Sequence, residues 1–247
     1  MQRYFLANEQ LTESNALILG DDAHHISRVM RGKIGDEIIV CNEEGICYAA
    51  KLKQLGEEVT AELVSKLDKE TEMPVAVTIA QGLPKGDKLE MVLQKGTECG
   101  AMAFLPVAMD RSVVKLDPKK AAKKVERWQK IAKEAAEQAH RQQVPRVYGV
   151  ASFKEMLAIG ADYDVKLFAY EETAKHGELS QLKASLNQVV HGQKILVVVG
   201  PEGGISEKEA DALTAAGFLP CALGPRILRT ETAPLYLLGA ISYATEL

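Results

Sequence analysis

The segment 194–217 constrains the fold of this chain more than any other part of it. It opens with an uninterrupted apolar run, residues 195–199, whose β-branched side chains fit a strand buried on both faces. The sequence G-P-E-G-G follows, and its glycines permit a sharp turn with a close backbone approach to a bound group. S-E-K-E from Ser206 is a capping-box pattern, which predicts that a helix begins there. In open α/β sheets, ligands bind at the carboxyl end of a strand in such a unit.

The glycine turn matches neither of the two familiar nucleotide-binding patterns. Its spacing is not G-x-G-x-x-G, and the chain contains no G-x-x-x-x-G-K-[ST]. Taken alone, such a turn is as compatible with a structural role as with ligand binding. A second segment, residues 223–233, mixes two arginines, a carboxylate and two hydroxyls with aliphatic side chains. That mixture is typical of a ligand pocket and favours binding.

These two segments together resemble the SPOUT class of S-adenosylmethionine-dependent RNA methyltransferases. Within that class, G-P-E-G-G from Gly200 and L-G-P-R-I-L-R-T-E-T-A from Leu223 are similar to the RsmE family, which methylates N3 of a uridine in the 16S RNA of the small ribosomal subunit. The likeness covers nearly the whole chain. It includes H-H-I-S-R-V-M-R from His24, Q-G-L-P-K-G-D-K from Gln81 and E-A-A-E-Q-A-H-R from Glu134.

The secondary-structure pattern changes near residue 70. Residues 1–70 hold five short strand candidates (3–6, 16–19, 36–41, 46–55 and 59–67) and one short helix, which predicts a small β-barrel. The resemblance implies that this part is a PUA-like RNA-binding domain. The polar stretch 67–74 marks the boundary.

In residues 74–247 strands and helices alternate, which predicts an α/β domain with a mostly parallel sheet. The resemblance implies a SPOUT-type methyltransferase domain with a C-terminal trefoil knot around the cofactor, and a homodimer with the site at its interface. The last predicted helix, 234–245, is apolar nearly all round, so we expect it to be covered on every side. Other predicted helices are 87–99, 118–142, 153–159 and 179–188, and other predicted strands are 75–80, 101–106, 146–148 and 165–170.

Charge is distributed unevenly along a chain of ordinary composition. The net charge is −4, yet residues 111–133 carry nine Lys or Arg against two acids, which leaves +7 there and −11 elsewhere. One basic stripe on an acidic body can hold a polyanion in a single orientation. The alternative is a solvated helix face.

Membrane spans, secretion and metal binding find no support in the sequence. No apolar run approaches the ~20 residues that cross a bilayer, and no secretion signal is visible, so we expect a cytoplasmic protein with no membrane partner. The four cysteines form no C-x-x-C pair and no metal spacing with the five histidines. We therefore expect buried, reduced thiols and no metal.

The resemblance implies that S-adenosylmethionine lies on three loops of the knot. Backbone groups would hold much of it, which fits the glycine and aliphatic content of these loops. The implied cofactor-binding residues are Phe168, Tyr170, Glu171, Val199, Gly200, Pro201, Glu202, Gly203, Gly204, Leu223, Gly224, Ile227, Leu228, Arg229, Thr232 and Ala233.

The proton on uridine N3 poses the chemical problem, because it is mostly in place at neutral pH. Arginine cannot remove it but can stabilise the resulting anion, which makes Arg229 the first catalytic candidate. Glu231 or Glu202 could orient Arg229, and a carboxylate could act as the base only if burial raised its pKa. The alternative for Arg229 and Glu231 is a structural ion pair.

RNA binding requires cations and hydrogen-bond donors that anchor phosphates and hold an extruded base. Lys85, Lys88 and Arg111 follow predicted strands, so they should lie at the same sheet edge as the cofactor loops. The full set of RNA-binding candidates is Arg3, His25, Arg28, Arg31, Lys85, Lys88, Arg111, Gln138 and Arg141.

Three other functions compete with this interpretation. The same class of enzyme could act on another RNA, such as a transfer RNA. A nicotinamide-dependent oxidoreductase would use the glycine turn, but the fingerprint and its acidic ribose partner are missing. An RNA-binding module without catalysis would not need the R-T-E-T-A segment from Arg229.

Overall fold

The structure, a computed structural model, describes residues 1–68, 70–114, 117–171 and 181–247. These residues form two compact units. The first comprises Met1–Glu72 and Ala136–Val144, and the second comprises Met73–Ala135 and Pro145–Leu247.

The first unit is a curled sheet of five short strands with a short α-helix and a 3-10 turn, Asn8–Gln10. The strands are β1 (Arg3–Phe5), β2 (Asn15–Ile18), β3 (Glu37–Cys41), β4 (Cys47–Gln54) and β5 (Val59–Lys66), in the spatial order β1-β3-β4-β5-β2. Two register shifts between β4 and β5 bend the sheet. Helix α1 (Gly20–His24) continues into a π-helical turn at His25–Val29, and its Ala23 and Ile26 pack on the sheet. All five strand predictions are confirmed to within one residue.

Cys41 and Cys47 form a disulfide, so the expectation of reduced thiols is wrong for this pair. The β3–β4 register places the two residues directly opposite each other. C-x-x-C and metal spacings do not cover this pair, because a hairpin makes neighbours of residues on either side of its turn. Cys99 and Cys221 are free thiols.

In its described residues, the second unit forms a seven-stranded sheet in which every pairing is parallel. Its strands are β6 (Ala76–Gly82), β7 (Ala103–Ala108), β8 (Arg146–Val147), β9 (Ala151–Ser152), β10 (Val165–Ala169), β11 (Lys194–Val199) and β12 (Leu219–Cys221). The order is β12-β10-β11-β6-β7-β8, and β9 also pairs with β7. Residues 195–199 are fully buried in the central strand β11, as their apolar pattern predicts.

Helices cover both faces of this sheet. They are α2 (Lys88–Glu98), α3 (Pro118–Gln138), α4 (Phe153–Ile159), α5 (Gln181–Leu186), α6 (Glu207–Ala215) and α7 (Ala233–Glu246). The predicted parallel α/β architecture is confirmed. The predicted helix 179–188 begins outside the described residues.

The end of one helix and the presence of one strand differ from the predictions for identifiable reasons. Helix α3 ends at Gln138 rather than 142 because His140 adopts a left-handed conformation, φ 56°, and Arg141 N donates to Ala136 O. Strand β12 was not predicted, since Pro220 interrupts its short sequence. Proline is tolerated there because β12 lies at the edge of the sheet.

Helix α7 packs on β11 and α2 through Leu237, Leu238 and Ile241, which are fully buried. Its opposite face is open: Tyr236 is 45% and Tyr243 is 74% exposed. The expectation that this helix is covered on every side is therefore wrong for the single chain.

The contact between α2 and the core beneath it leaves no room at Gly96. A Cβ at this position would lie 2.8 Å from Phe104 Cε1 and 3.5 Å from Leu238 Cδ1. Glycine thus allows α2 to approach β7 and α7 closely.

We predict that Gly96→Ala lowers the free energy of unfolding by about 1–3 kcal/mol, because the added methyl overpacks the core. Helix propensity alone would act in the opposite direction by about 1 kcal/mol, so the sign identifies the cause. Gln94→Ala, at an exposed position of the same helix, should change stability by less than about 0.5 kcal/mol. Urea denaturation followed by circular dichroism measures both, and a Gly96→Ala protein as stable as its parent would contradict this packing.

Candidate functional site

A cavity of about 820 Å³ lies at the carboxyl ends of β10, β11 and β12. Parallel pairing brings the segments after these strands to one edge of the sheet: 169–171, 199–207 and 221–233. Lys88 and Arg111 complete the lining. This volume lies within the usual range for small-molecule sites, and apolar and polar groups both line it.

The glycine turn after β11 is tightly folded. Gly204 N donates to Pro201 O at 2.8 Å, and a Cβ on Gly200 would lie 2.8 Å from the Gly204 carbonyl carbon. Ser206 Oγ accepts from Glu209 N while Glu209 Oε2 accepts from Ser206 N. The predicted capping box is confirmed, and α6 begins directly behind the turn.

Arg111 holds the same turn from the side of β7. Its Nη1 donates to Gly203 O at 2.9 Å, and a Cβ on Gly203 would lie 2.9 Å from Arg111 Cβ. Glu209, which is buried, also accepts from Asp110 N at 2.8 Å and so ties this loop to α6. The loop after β7 therefore helps to shape the cavity.

Lys88 stands between two carboxylates at the cavity wall. Its Nζ is 2.9 Å from Glu202 Oε1 and 3.6 Å from Glu231 Oε2. Glu202 Oε1 also accepts from Lys85 N at 3.0 Å. The hydrogen bond to Glu202 raises the pKa of Lys88, which keeps this side chain a cation.

Glu202 is poorly suited to accept a proton. Desolvation tends to raise the pKa of its carboxyl, but the hydrogen bonds from Lys88 and from the backbone of Glu202 and Lys85 outweigh it, and the pKa is lowered. A carboxylate base would need a pKa raised by burial, and the pKa of Glu202 is lowered instead.

Arg229 is exposed at the cavity, and its guanidinium makes no hydrogen bond or ion pair with the described residues. Glu231 is buried, does not line the cavity and leaves Oε2 without a hydrogen-bond partner among them. The structural alternative, an Arg229–Glu231 ion pair, does not occur in the described part of the chain. Here Glu202 and Glu231 contact Lys88 instead of orienting Arg229.

The predicted cofactor residues converge on the cavity, and all of them line it except Phe168 and Thr232. Phe168 is buried under the cavity wall with its ring centroid 5.6 Å from that of Tyr170. Thr232 is exposed next to the first turn of α7. Their roles in binding stay predictions.

Sequence reasoning missed Cys221 and Glu207, which also line the cavity. Cys221 ends β12, the strand that was not predicted. Glu207 is the first residue of α6, so the confirmed capping box was a signal that could have found it. Ile205 directly follows the glycine turn and was also missed. Within the predicted cofactor loops, the lining further includes residues outside the implied set: Ala169, Pro225, Arg226 and Thr230.

The RNA-binding candidates in the second unit lie at or beside the cavity. Lys88 and Arg111 line it, and Lys85 is exposed beside them. In the first unit Arg28 and Arg31 are exposed on the turn after α1, whereas His25 Nδ1 lies 3.0 Å from the Tyr4 hydroxyl.

Arg3 and Arg141 are buried within the first unit, at 6% and 3% exposure. Arg141 forms an ion pair with Glu72, whose Oε1 also accepts from Gln142 N at 2.8 Å. Arg3 Nη1 donates to Arg141 O. Gln138 is exposed. This placement does not support the RNA contacts predicted for Arg3 and Arg141, which stay predictions.

Metal ligands do not gather in the described ranges, where no group of three or more His, Cys, Asp or Glu could hold an ion. None of the helices described combines the length and the apolar character that crossing a bilayer requires.

We predict that Arg141→Met lowers the free energy of unfolding by about 3 kcal/mol, because it leaves the Glu72 carboxylate, which is only 12% exposed, without its cation. Gln138→Ala, at an exposed position in the same segment, is the matched control and should change it by less than about 0.5 kcal/mol. Denaturant titration measures both. Unchanged stability of Arg141→Met combined with weaker RNA binding would instead favour the RNA contact.

Comparison with known proteins gives family matches in both parts of the chain. The RNA methyltransferase domain family matches residues 71–242, and the RNA methyltransferase PUA domain family matches residues 18–64. The fold class expected from the sequence, a parallel α/β SPOUT domain preceded by a PUA-like domain, is confirmed. The trefoil knot stays a prediction.

Individual proteins resemble the chain over its full length. Ribosomal RNA small subunit methyltransferase E of Bacillus subtilis (strain 168) is 51% identical over 251 residues, which covers 100% of this chain and 98% of that protein. A crystal structure of a hypothetical protein is 48% identical, with a TM-score of 0.91 and 99% of each chain covered. A third match is the crystal structure of ribosomal RNA small subunit methyltransferase E from Neisseria gonorrhoeae bound to S-adenosyl methionine. It is 31% identical, with a TM-score of 0.84, and the match covers 98% of this chain and 97% of that chain.

Proposed function

The chain belongs to the ribosomal RNA small subunit methyltransferase E (RsmE) family, and on that basis we propose that it transfers the methyl group of S-adenosylmethionine to N3 of a uridine in 16S ribosomal RNA. The observation that carries the proposal is the cavity at the carboxyl ends of β10–β12, in which the predicted cofactor loops converge. The related protein from Neisseria gonorrhoeae is bound to S-adenosyl methionine, which supports the same cofactor here.

The residues of the cavity fit this cofactor. Leu223, Ile227 and Leu228 offer apolar surface for an adenine ring, and the tight glycine turn exposes backbone where a Cβ would collide. Glu171, Glu202 and Glu207 also line the cavity, and carboxylates favour a sulfonium cation over a phosphate. Phe168 and Thr232 would act from outside the lining, through Tyr170 and the start of α7.

When bound, S-adenosylmethionine supplies an electrophilic methyl group. We assign to Arg229 the stabilisation of the negative charge that spreads over the uridine carbonyl oxygens once N3 has released its proton to water. Its guanidinium stays protonated, and no described residue already occupies its donors. Lys88 is a second cation at the cavity, and Glu202 and Glu231 fix its position. In-line methyl transfer depends on holding the methyl donor and the uridine N3 in the correct relative geometry.

RNA binding is proposed for both parts of the chain, a PUA-like domain at 1–70 and a SPOUT methyltransferase domain at 74–247. Arg28 and Arg31 would contact phosphates from the first domain, while Lys85, Lys88 and Arg111 would contact the target near the cavity. Their exposure or their position at the cavity supports this role. A transfer RNA stays the alternative substrate, and the site of action would be the cytoplasm.

We predict that deleting the gene removes N3-methyluridine from 16S rRNA and that Arg229→Ala fails to restore it. Nucleoside mass spectrometry of purified 16S rRNA and tRNA measures the outcome. In vitro, Arg229→Ala should reduce kcat about 100- to 1000-fold, as loss of an oxyanion donor does. Its affinity for S-adenosylmethionine should stay within about threefold, because the backbone does much of the holding.

Lys154→Ala is the matched control, since this exposed cation does not line the cavity. It should restore the methyl group fully. Retained N3-methyluridine in the deletion strain would reject the substrate, and loss of a methyl group from tRNA alone would favour the alternative. Full turnover by Arg229→Ala would reject its catalytic role.

A homodimer and the trefoil knot complete the proposal. The open face of α7 supports the dimer, because Tyr236 and Tyr243 there present aromatic surface to solvent. The knot is supported by residues 223–230, which line the cavity at the carboxyl ends of β10–β12, and by α7, which follows them and packs against both α2 and β11.

We predict that the protein sediments at twice its chain mass of 26.9 kDa. Tyr243→Glu should shift it toward 26.9 kDa, because a charge on the proposed interface is costly to bury. Lys154→Glu is the control for an exposed substitution elsewhere. Analytical ultracentrifugation measures both, and a parent protein that sediments at the single-chain mass at micromolar concentration would contradict the dimer.

A further inference from the structure

We propose that Gln81 is a positioning residue of the cofactor site, whose buried side-chain amide holds the glycine turn against the segment 223–233. The inference rests on the proposed function, because it concerns the cavity assigned to S-adenosylmethionine. Gln81 itself does not line that cavity, so it would act through the two loops that do.

The contacts of Gln81 join three separate parts of the second unit. The residue lies near the carboxyl end of β6 and is 1% exposed. Its Nε2 donates to Thr230 Oγ1 at 2.9 Å and lies 3.3 Å from Gly200 O. Thr230 Oγ1 in turn donates to Gly200 O at 2.6 Å. One carbonyl of the glycine turn is thus held by two side chains from different elements.

The chemistry of the neighbours fixes the orientation of the amide. Nε2 also lies 3.1 Å from Gly82 O, so two of its three neighbours are carbonyl oxygens, which can only accept. Turning the amide over would bring its own oxygen against both of them. The observed orientation is therefore the one that hydrogen bonding requires.

The amide oxygen of Gln81 indicates that this side chain has a role beyond packing. Gln81 Oε1 is buried and has no hydrogen-bond partner among the described residues. A buried acceptor without a partner is unfavourable, and a methionine would fill a similar space without one. The donor side of the amide is what distinguishes glutamine here, and that side contacts Gly200 and Thr230.

The backbone at the end of β6 packs tightly against the glycine turn. A Cβ at Gly82 would lie 2.6 Å from Pro201 Cδ and 2.7 Å from Pro201 N, so the end of β6 touches the glycine turn directly. Gln81 pairs with Val199, the last residue of β11 before the turn. Strand end, turn and residue 230 thus form one hydrogen-bonded junction at the cavity wall, where Gly200 and Thr230 line the cavity and Gln81 lies behind them.

Such a junction preorganises the cavity before the cofactor arrives. Without it, ordering the two loops would have to be driven by cofactor binding, which weakens affinity. Methyl transfer at saturating cofactor would change less, because the groups assigned to the chemistry are intact. A positioning role therefore raises KM for S-adenosylmethionine more than it lowers kcat.

The test measures S-adenosylmethionine affinity by isothermal titration calorimetry for Gln81→Met, Thr230→Val and Thr230→Ser. We expect Kd to rise about tenfold in Gln81→Met and in Thr230→Val, since each removes a buried hydrogen bond to the junction. Thr230→Ser keeps the hydroxyl and should recover most of the affinity. The double variant Gln81→Met/Thr230→Val should lose less than the product of the two single effects, because both act on Gly200 O.

Tyr163→Phe is the matched control, because it removes a different, partly buried hydrogen bond to the same strand. Tyr163 donates to Thr78 Oγ1 in β6 at 2.9 Å, and neither residue lines the cavity. This variant should lower Tm without changing Kd. A role of Gln81 confined to stability would give the same result, a lower Tm and an unchanged Kd.

An unchanged Kd in folded Gln81→Met would overturn the inference. If Gln81→Met does not fold, equal affinities of Thr230→Val and Thr230→Ser would overturn it as well. A parent protein that binds no S-adenosylmethionine would reject the proposed function instead. Binding by the parent and by all variants alike would reject only the role of Gln81.

Discussion

Parallel hydrogen bonding between β10 and its two neighbours is the constraint on which the cavity depends. Pairing with β11 on one side and β12 on the other sends three successive loops to the same sheet edge. The strand β12 has only three residues and includes a proline, yet it sets where the segment 223–233 begins. Everything assigned to the cofactor follows from this alignment of strand ends.

The charges around the cavity are divided between two roles. Lys88 is bound to Glu202 and near Glu231, so its charge is largely balanced within the protein. Arg229 lies at the same cavity without such partners in the described residues, and its donors are available for a ligand. The distinction separates a cation that shapes the wall from one that can stabilise charge developing on a substrate.

Local patterns in the sequence predict most of the fold. The predicted bounds of the five strands in the first unit are correct to within one residue. They depend on local signals, the apolar residues within each strand and the turn residues that flank it. The capping box at Ser206 is likewise a local signal, and the structure reproduces it. The motif segments after β10 and β11, and residues 223–233, identify most of the cavity lining.

Features that depend on distant partners could not be predicted in this way. Arg141 looks like an RNA contact in the sequence, but its burial depends on Glu72, 69 residues away. The pairing of Cys41 with Cys47 depends on the hairpin register, and the bonds of Gln81 depend on residues 119 and 149 positions later. Each requires the tertiary fold to be known first.

The distance in sequence between Gln81 and Thr230 has a consequence for folding during translation. Residues 149 positions apart meet behind the cavity, and the central strand β6 pairs with β11 from far along the chain. Contacts between residues so far apart in sequence form late in folding. The intervening polypeptide must lose conformational entropy before these contacts can stabilise the structure. During synthesis the emerging chain will have no complete methyl-donor pocket until the segment 223–233 has left the ribosome.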